Sequence, residues 1–163
     1  MGSSSSLAGA LFAYMTGVNI VRIPYKSQGG RTTSLLASEV QLEFATTVGM
    51  GSYIKAGKLK ALAVTSAKPS ALFPGLPTIG QTVPGYEAES TSGVFAPART
   101  PMEIIGRLNQ EVVKALSLAE VKDKFTTAGV EIVGRTPEFF AVHIKAEMAR
   151  MGKVIKAMGL KEQ

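Results

Sequence analysis

Cysteine is absent from the chain, and histidine occurs once, at His143. The first absence removes disulfide frameworks and thiolate chemistry. The second leaves little for nucleophilic catalysis. A Ser/His/acid triad would have to use His143, and no G-x-S-x-G elbow occurs anywhere in the sequence. His143 falls in the middle of a helical pattern with Glu147 four residues on, so an imidazole on a surface flank, paired to that carboxylate, is the plainer expectation. Metal sites need clustered His, Cys or carboxylate ligands. The acidic residues here are scattered along helices and strand ends, and no metal or other cofactor is expected. There is no Walker loop, and no G-x-G-x-x-G follows a strand into a helix. The expectation is a protein that is not an enzyme.

Long hydrophobic runs are also missing. The longest near the start, LAGALFAYM at Leu7 to Met15, is too short to cross a bilayer. No basic stretch precedes it and no convincing small-residue cleavage site follows, so the chain as given is expected to carry no signal peptide. The opening MGSSSS reads either as part of a ligand loop or as the remnant of an expression tag. The formal charge of +6 and isoelectric point near 9.7 raise the question of nucleic acid. The excess is spread out, however: seven Lys/Arg face four Asp/Glu from Met1 to Gly93, and eleven face eight from Val94 to Gln163. Without a basic run or a cluster of base-stacking aromatics, nucleic acid is not an expected partner.

What is there is globular: 163 residues, 45% of them apolar, with 17 glycines, enough for a real core within the size of one domain. Leu7, Leu11, Phe12 and Met15 recur at helical spacing, preceded by serines and stopped by Gly17. NIVRIPY reads as a strand, SQGG as a break, and Arg31 to about Ser38 as a helix. QLEFAT reads as a strand, MGSYIKAG as a helix closing on Gly57, and LKALAVTS as another strand. Short-range alternation of helix and strand predicts an α/β fold with a helix-covered sheet. Lys68 to Tyr86 is rich in proline and glycine and reads as a connection. ESTSGVFAPA follows as one more strand.

The second part of the chain is mostly helical. Thr100, Pro101 and Glu103 have the form of a capping box, opening a helix whose buried stripe is Ile105, Leu108, Val112 and Leu116. A further helix, about Ala119 to Ala128, ends at Gly129, and VEIVG reads as a short strand. Thr136 and Pro137 open a long helix with Phe140, Ile144, Met148, Met151, Ile155 and Met158 on one face.

The chemistry on offer is therefore not side-chain acid and base but backbone donors at helix starts. Ser3 to Ser6 precede the first helix, Ser27, Gln28, Gly29 and Gly30 the second, and Thr46 and Thr47 the third. First-turn N–H groups and the positive end of the helix dipole suit an anion. Hydroxyls beside them add donors, and Gly29 and Gly30 let the main chain approach a ligand closely. A Ser or Thr before a helix is more often a plain cap, but three such stretches in one α/β unit predict an anion-binding cleft. Arg31 stands beside the second loop, either to pair with a ligand carboxylate or as an exposed surface cation.

The runs TGVNIVRIPYKSQGG, LLASEVQLEF, YIKAGKLKALAVTSAKPS, LPTIGQTVPGYE, GVFAPARTP and EIIGRLNQEVVKAL follow in order. Together they resemble the substrate-binding receptors of tripartite tricarboxylate transporters, the Bug receptors, over nearly the whole chain. IKAGKLKALAVTSAK, and PGYE followed by FAPA-x-TP, are the most specific of them. The resemblance implies a type II periplasmic binding protein-like fold, two α/β lobes closing on a small carboxylate, with no reaction. It implies a periplasmic location and the membrane components of a tripartite transporter as partners. Family pockets use a glycine/serine-rich segment before the first helix, which falls on Gly2 to Ser6 and makes Ser3, Ser4 and Ser5 candidates. They also use a YKGGG loop, which falls on Tyr25, Lys26, Ser27, Gln28 and Gly29, and a turn after the next strand, which falls on Ala45, Thr46 and Thr47.

The sequence departs from the family pattern in several places. Ser6 stands where histidine is usual and Ala45 where aspartate is usual, while Ser27 and Gln28 replace glycines and add polar side chains at the cleft. Family members are nearly twice as long. On the resemblance, residues 1–6 are a ligand-loop remnant or tag, 7–93 form lobe two complete, and 94–163 form the C-terminal, mainly helical and incomplete part of lobe one. Apolar stripes on those last helices then lack their usual cover, which predicts either a homodimer through that surface or a poorly held C-terminal tail. Two other readings stay open: an effector-sensing or protein-interaction module of the same fold, and a fragment unable to bind.

Overall fold

The computed structural model describes residues 3–159. The chain divides into two compact units, one ending at Ser90 and the next beginning at Thr91.

In the first unit, α1 spans Ser4–Thr16. Ser3 is its N-cap, its Oγ accepting from the Ser6 N–H at 3.2 Å. Ser4 to Ser6 thus lie inside the first turn rather than ahead of it. Gly17 closes the helix with φ +69° and donates its N–H to the Ala13 carbonyl at 2.9 Å. A left-handed residue there satisfies one of the last orphan carbonyls without a Cβ penalty. α1 buries Ala8 and Leu11, and full burial of a leucine side chain is worth about 1.5–3 kcal/mol.

Aromatic rings form the wall that α1 packs on. The rings of Phe12 and Phe44 lie 5.8 Å apart, and Phe12 meets Tyr86 edge-on at 6.1 Å. Gly9 lies under Phe44, whose Cδ2 would touch an added Cβ at 3.1 Å. Tyr86 is 2% exposed, and its hydroxyl donates to the Ala8 carbonyl at 3.0 Å. Burial pushes the Tyr86 pKa up to about 12, because a phenolate would be stranded away from water. The end of this unit is tied back as well: the Ala88 N–H donates to the Thr65 carbonyl at 2.9 Å, and the Ala67 N–H to Glu89 Oε1 at 3.3 Å.

α2 spans Gln28–Leu36 and α3 spans Gly51–Lys55. The first begins three residues earlier than its apolar pattern predicts, because Ser27 supplies the cap ahead of the two glycines. A single 3₁₀ turn follows at Ile79–Gln81.

The predicted strands do not assemble. NIVRIPY, QLEFAT, LKALAVTS, ESTSGVFAPA and VEIVG run without ladders, and among the described residues only Val64 forms a bridge, parallel to Thr78. Its N–H donates to Pro77 O at 2.9 Å, and its carbonyl accepts from the Ile79 N–H at 3.0 Å. β-branched sequence favours an extended backbone, but a strand also needs a neighbour at about 4.8 Å to pair its N–H and C=O groups. The α/β expectation is thus corrected within this chain to helices joined by extended connections.

The second unit holds α4 (Met102–Ser117), α5 (Ala119–Thr127) and α6 (Pro137–Ala157). α4 packs on both of the others. The expected capping box at Thr100 is not formed. Pro101 occupies the cap position with no side-chain bond, and the Thr100 N–H instead closes a turn on Pro97 O at 3.0 Å. α6 starts as predicted: Thr136 Oγ1 accepts from the Phe139 N–H at 3.3 Å, with Pro137 in the first turn. Its 21 residues span about 30 Å.

The stripe of α4 is not buried. Leu108 is 49% and Val112 36% exposed, beside Met102 and Ile104, which are exposed too. α6 does gather the start of the unit. The Phe140 ring lies 5.5 Å from that of Phe95, tilted by 50°, and sits where any side chain at Gly93 would have to go. His143 Nε2 is 3.1 Å from Thr91 Oγ1. Glu147, the expected partner of His143, is held by Arg150 through Nε at 3.1 Å and Nη2 at 2.7 Å.

Candidate functional site

Ser27 fixes the start of α2. Its backbone is extended (φ −145°, ψ 159°), its Oγ accepts from the Gly30 N–H at 3.2 Å, and its carbonyl accepts from the Arg31 N–H at 3.4 Å. An α-helix leaves its first four N–H groups without intrahelical partners. The Ser27 side chain takes one of them, that of Gly30, and its carbonyl starts the ladder by accepting from Arg31, so within the helix the amides of Gln28 and Gly29 stay open. The SQGG loop therefore offers two donors rather than the whole run. A Cβ on Gly29 would meet nothing within 4 Å, which marks open space against the main chain there.

That space is one side of a hollow of about 350 Å³, lined by Gln28, Gly29, Thr32, Thr33, Gly49, Met50 and Tyr53. Gln28 reaches across to the loop after the QLEF segment, its Nε2 donating to the Val48 carbonyl at 2.8 Å. Gly49 turns that loop with φ +84°, a conformation that side-chain-bearing residues rarely hold. Met50 is buried and gives the hollow an apolar floor. Tyr25 lies beside Gly30, 3.7 Å from where a Cβ would be.

The other candidates fall elsewhere. Arg31 is turned to its own chain, its Nε 3.2 Å from Glu43 Oε1. Glu43 is 7% exposed in its side chain, and burial raises its pKa while Arg31 pulls it down. The guanidinium is thereby drawn toward Glu43, with a quarter of its side chain still exposed. Thr46 and Thr47 do not cap α3: its cap is Met50, and the Met50 N–H closes a turn on the Thr47 carbonyl at 3.2 Å. Ser3, Ser4, Ser5, Thr46 and Thr47 do not line the hollow. Thr32, Thr33, Gly49, Met50 and Tyr53 line the hollow without having been candidates in the sequence, although the glycine of VGMG is a visible turn signal.

A larger hollow, about 470 Å³, lies in the second unit between α4 and the start of α6 and contains none of the candidate residues. Asn109 Nδ2 tethers the two sides by donating to Arg135 O at 3.0 Å. Among the described residues no three His, Asp or Glu side chains gather as metal ligands. No described helix is long and apolar enough to cross a membrane.

Two open amides at a helix start, with hydroxyls around them and an apolar floor below, are a chemistry suited to an anion. Residues 1–160 match the family described as tripartite tricarboxylate transporter family receptor, and the chain belongs to that family. It is 32% identical over 162 residues to protein BugT of Bordetella pertussis. Its structure is similar to that of an R. palustris protein with adipate, with a TM-score of 0.85 and 37% identity over 97% of this chain. It is similar also to periplasmic binding protein BugD, at 0.79 and 27% over 99%. The chain spans about half the length of each, 50%, 53% and 55% respectively. The fold is that of these periplasmic binding proteins, which are solute-binding receptors and not enzymes.

Proposed function

We propose that this chain is the ligand-binding part of an extracytoplasmic receptor that takes a small carboxylate for a tripartite tricarboxylate-type transporter in the periplasm, without catalysis. Unit one is lobe two of the receptor, and unit two is the C-terminal part of lobe one. The observation that carries the reading is the likeness to the adipate-bound protein over 97% of the chain. The open amides of Gln28 and Gly29 beside the hollow support it, since a carboxylate is what such donors accept best. With Arg31 outside the lining and beside Glu43, the anion is held by neutral donors and the helix dipole, worth about 0.3–1 kcal/mol at an exposed site. Affinity from this part of the cleft is therefore weak.

The exposed row of Ile104, Leu108 and Val112 on α4 supports a second element of the reading, pairing with another copy of the chain. Sedimentation velocity tests it: a dimer that Leu108→Lys dissociates is the expected result, and a monomer at all concentrations refutes it.

Calorimetric titration with aliphatic dicarboxylates, hydroxy acids, citrate, amino acids and aromatic acids tests the receptor itself. A saturable response to an acid, weakened in Ser27→Ala, is expected. A response only to a non-acidic effector would favour the sensing module. Silence to the whole panel would leave a fragment unable to bind.

A further inference from the structure

We infer that Gln28 determines specificity in this site, acting as a bar that keeps the hollow narrow and selects unbranched aliphatic acids; the inference rests on the receptor reading above. Gln28 is the first residue of α2, so its main-chain N–H belongs to the open pair while its side chain leaves the helix. That side chain crosses to a loop 20 positions away in sequence and donates from Nε2 to the Val48 carbonyl at 2.8 Å. The carbonyl is presented by the Gly49 turn, and a Cβ at Gly49 would lie 3.8 Å from the same Nε2. The bridge therefore joins the two walls of the hollow and sets their spacing.

The remaining walls define what fits. The Thr32 hydroxyl is already used, donating to the Gln28 carbonyl at 3.1 Å, and Met50 and Tyr53 supply thioether and ring surface. A carboxylate on the Gln28 and Gly29 amides leaves the rest of its molecule against Met50. A methylene chain keeps its apolar contact there, whereas a branch would have to find room beside the Gln28 bridge. At about 350 Å³ the hollow lies at the small end of ligand sites, and the Gln28 side chain takes up part of the space between its walls.

The test uses the full chain and calorimetry with straight-chain dicarboxylates of increasing length, citrate and phthalate, on wild type, Gln28→Gly, Gln28→Asn and Gln28→Glu. Wild type should prefer a straight-chain acid. Gln28→Gly should lose about three- to tenfold for that acid, the effect of one hydrogen bond, and gain for phthalate, so that the ratio shifts by about tenfold or more. Gln28→Asn keeps the amide one methylene short of Val48 and should follow Gln28→Gly in direction, which carries the test if the glycine variant does not fold. Gln28→Glu keeps the length but places an acceptor against the Val48 carbonyl and a negative charge at an anion site, weakening every acid. Saturable binding with the ranking unchanged in both shortened variants overturns the inference alone. No saturable response from wild type overturns the receptor reading and this inference with it.

Discussion

Tyr86→Phe changes one oxygen in the centre of unit one, and its effect should reverse sign with pH. At pH 8 the variant loses the hydrogen bond to the Ala8 carbonyl, 3.0 Å long and buried, while the ring keeps its edge-on contact with Phe12. A net loss of about 1 kcal/mol is expected. The hydroxyl also carries a liability that phenylalanine lacks. Burial raises the Tyr86 pKa from 10.0 to about 12, so the folded state favours the neutral phenol more than the unfolded state does. A raised pKa gives stability that is complete below the unfolded value and lost as pH climbs through the folded one. By pH 11 the unfolded chain has gained about 1.4 kcal/mol from ionising this tyrosine, and by pH 12 about 2–2.5 kcal/mol. The wild-type and Tyr86→Phe stability curves should therefore cross near pH 11. Urea unfolding of both proteins at half-unit steps from pH 8 to 12 measures the difference, and subtracting the curves cancels the titration of the other groups. A difference that stays constant across that range would refute the reasoning.

Arg31→Ala should destabilise the protein by about 2–3 kcal/mol at pH 7, because it leaves the buried Glu43 carboxylate without its cation; chemical denaturation measures it. Glu43 already titrates high through burial, so the loss should shrink as pH falls through its titration and the carboxyl becomes neutral. Glu147 is shifted in the opposite direction. Arg150's hydrogen bond holds it below the usual carboxylate range, and the pair is about a quarter exposed, so Glu147→Gln should cost about 0.3–1 kcal/mol at pH 7 and almost nothing at pH 3 in thermal unfolding. Gly93→Ala places a methyl in the Phe140 ring and should cost about 1–3 kcal/mol. Phe140→Leu in the same chain should return part of the lost thermal stability.

Elements with a local signature were legible. Thr136 followed by Pro137 marks the start of α6, and Gly17 and Gly129 mark the ends of α1 and α5, because caps and left-handed stops involve neighbours within four residues. Thr100 carried the same signature, yet the helix starts at Met102 with Pro101 as its cap. The β-branched runs were legible as extended backbone but not as a sheet, since a ladder depends on a partner that local sequence does not encode. At the site, Ser27 was readable as a helix start for the same local reason as Thr136. The Gln28 to Val48 bond was not, because nothing in either residue's neighbourhood points to the other. Arg31 was placed correctly in sequence, but its engagement with Glu43 depends on how α2 folds back on the QLEF segment.

The bond from Tyr86 to Ala8 spans 78 residues, and it also sets an order of events during synthesis. α1 is made well before Tyr86, and the wall it lies on, begun by Phe44, is not complete until almost the whole of unit one has left the ribosome. Closing so long a loop is entropically slow, and an isolated helix of this length is marginal in water. Until then α1 stays open to proteases and chaperones, and its full protection arrives with the proline- and glycine-rich connection that delivers Tyr86.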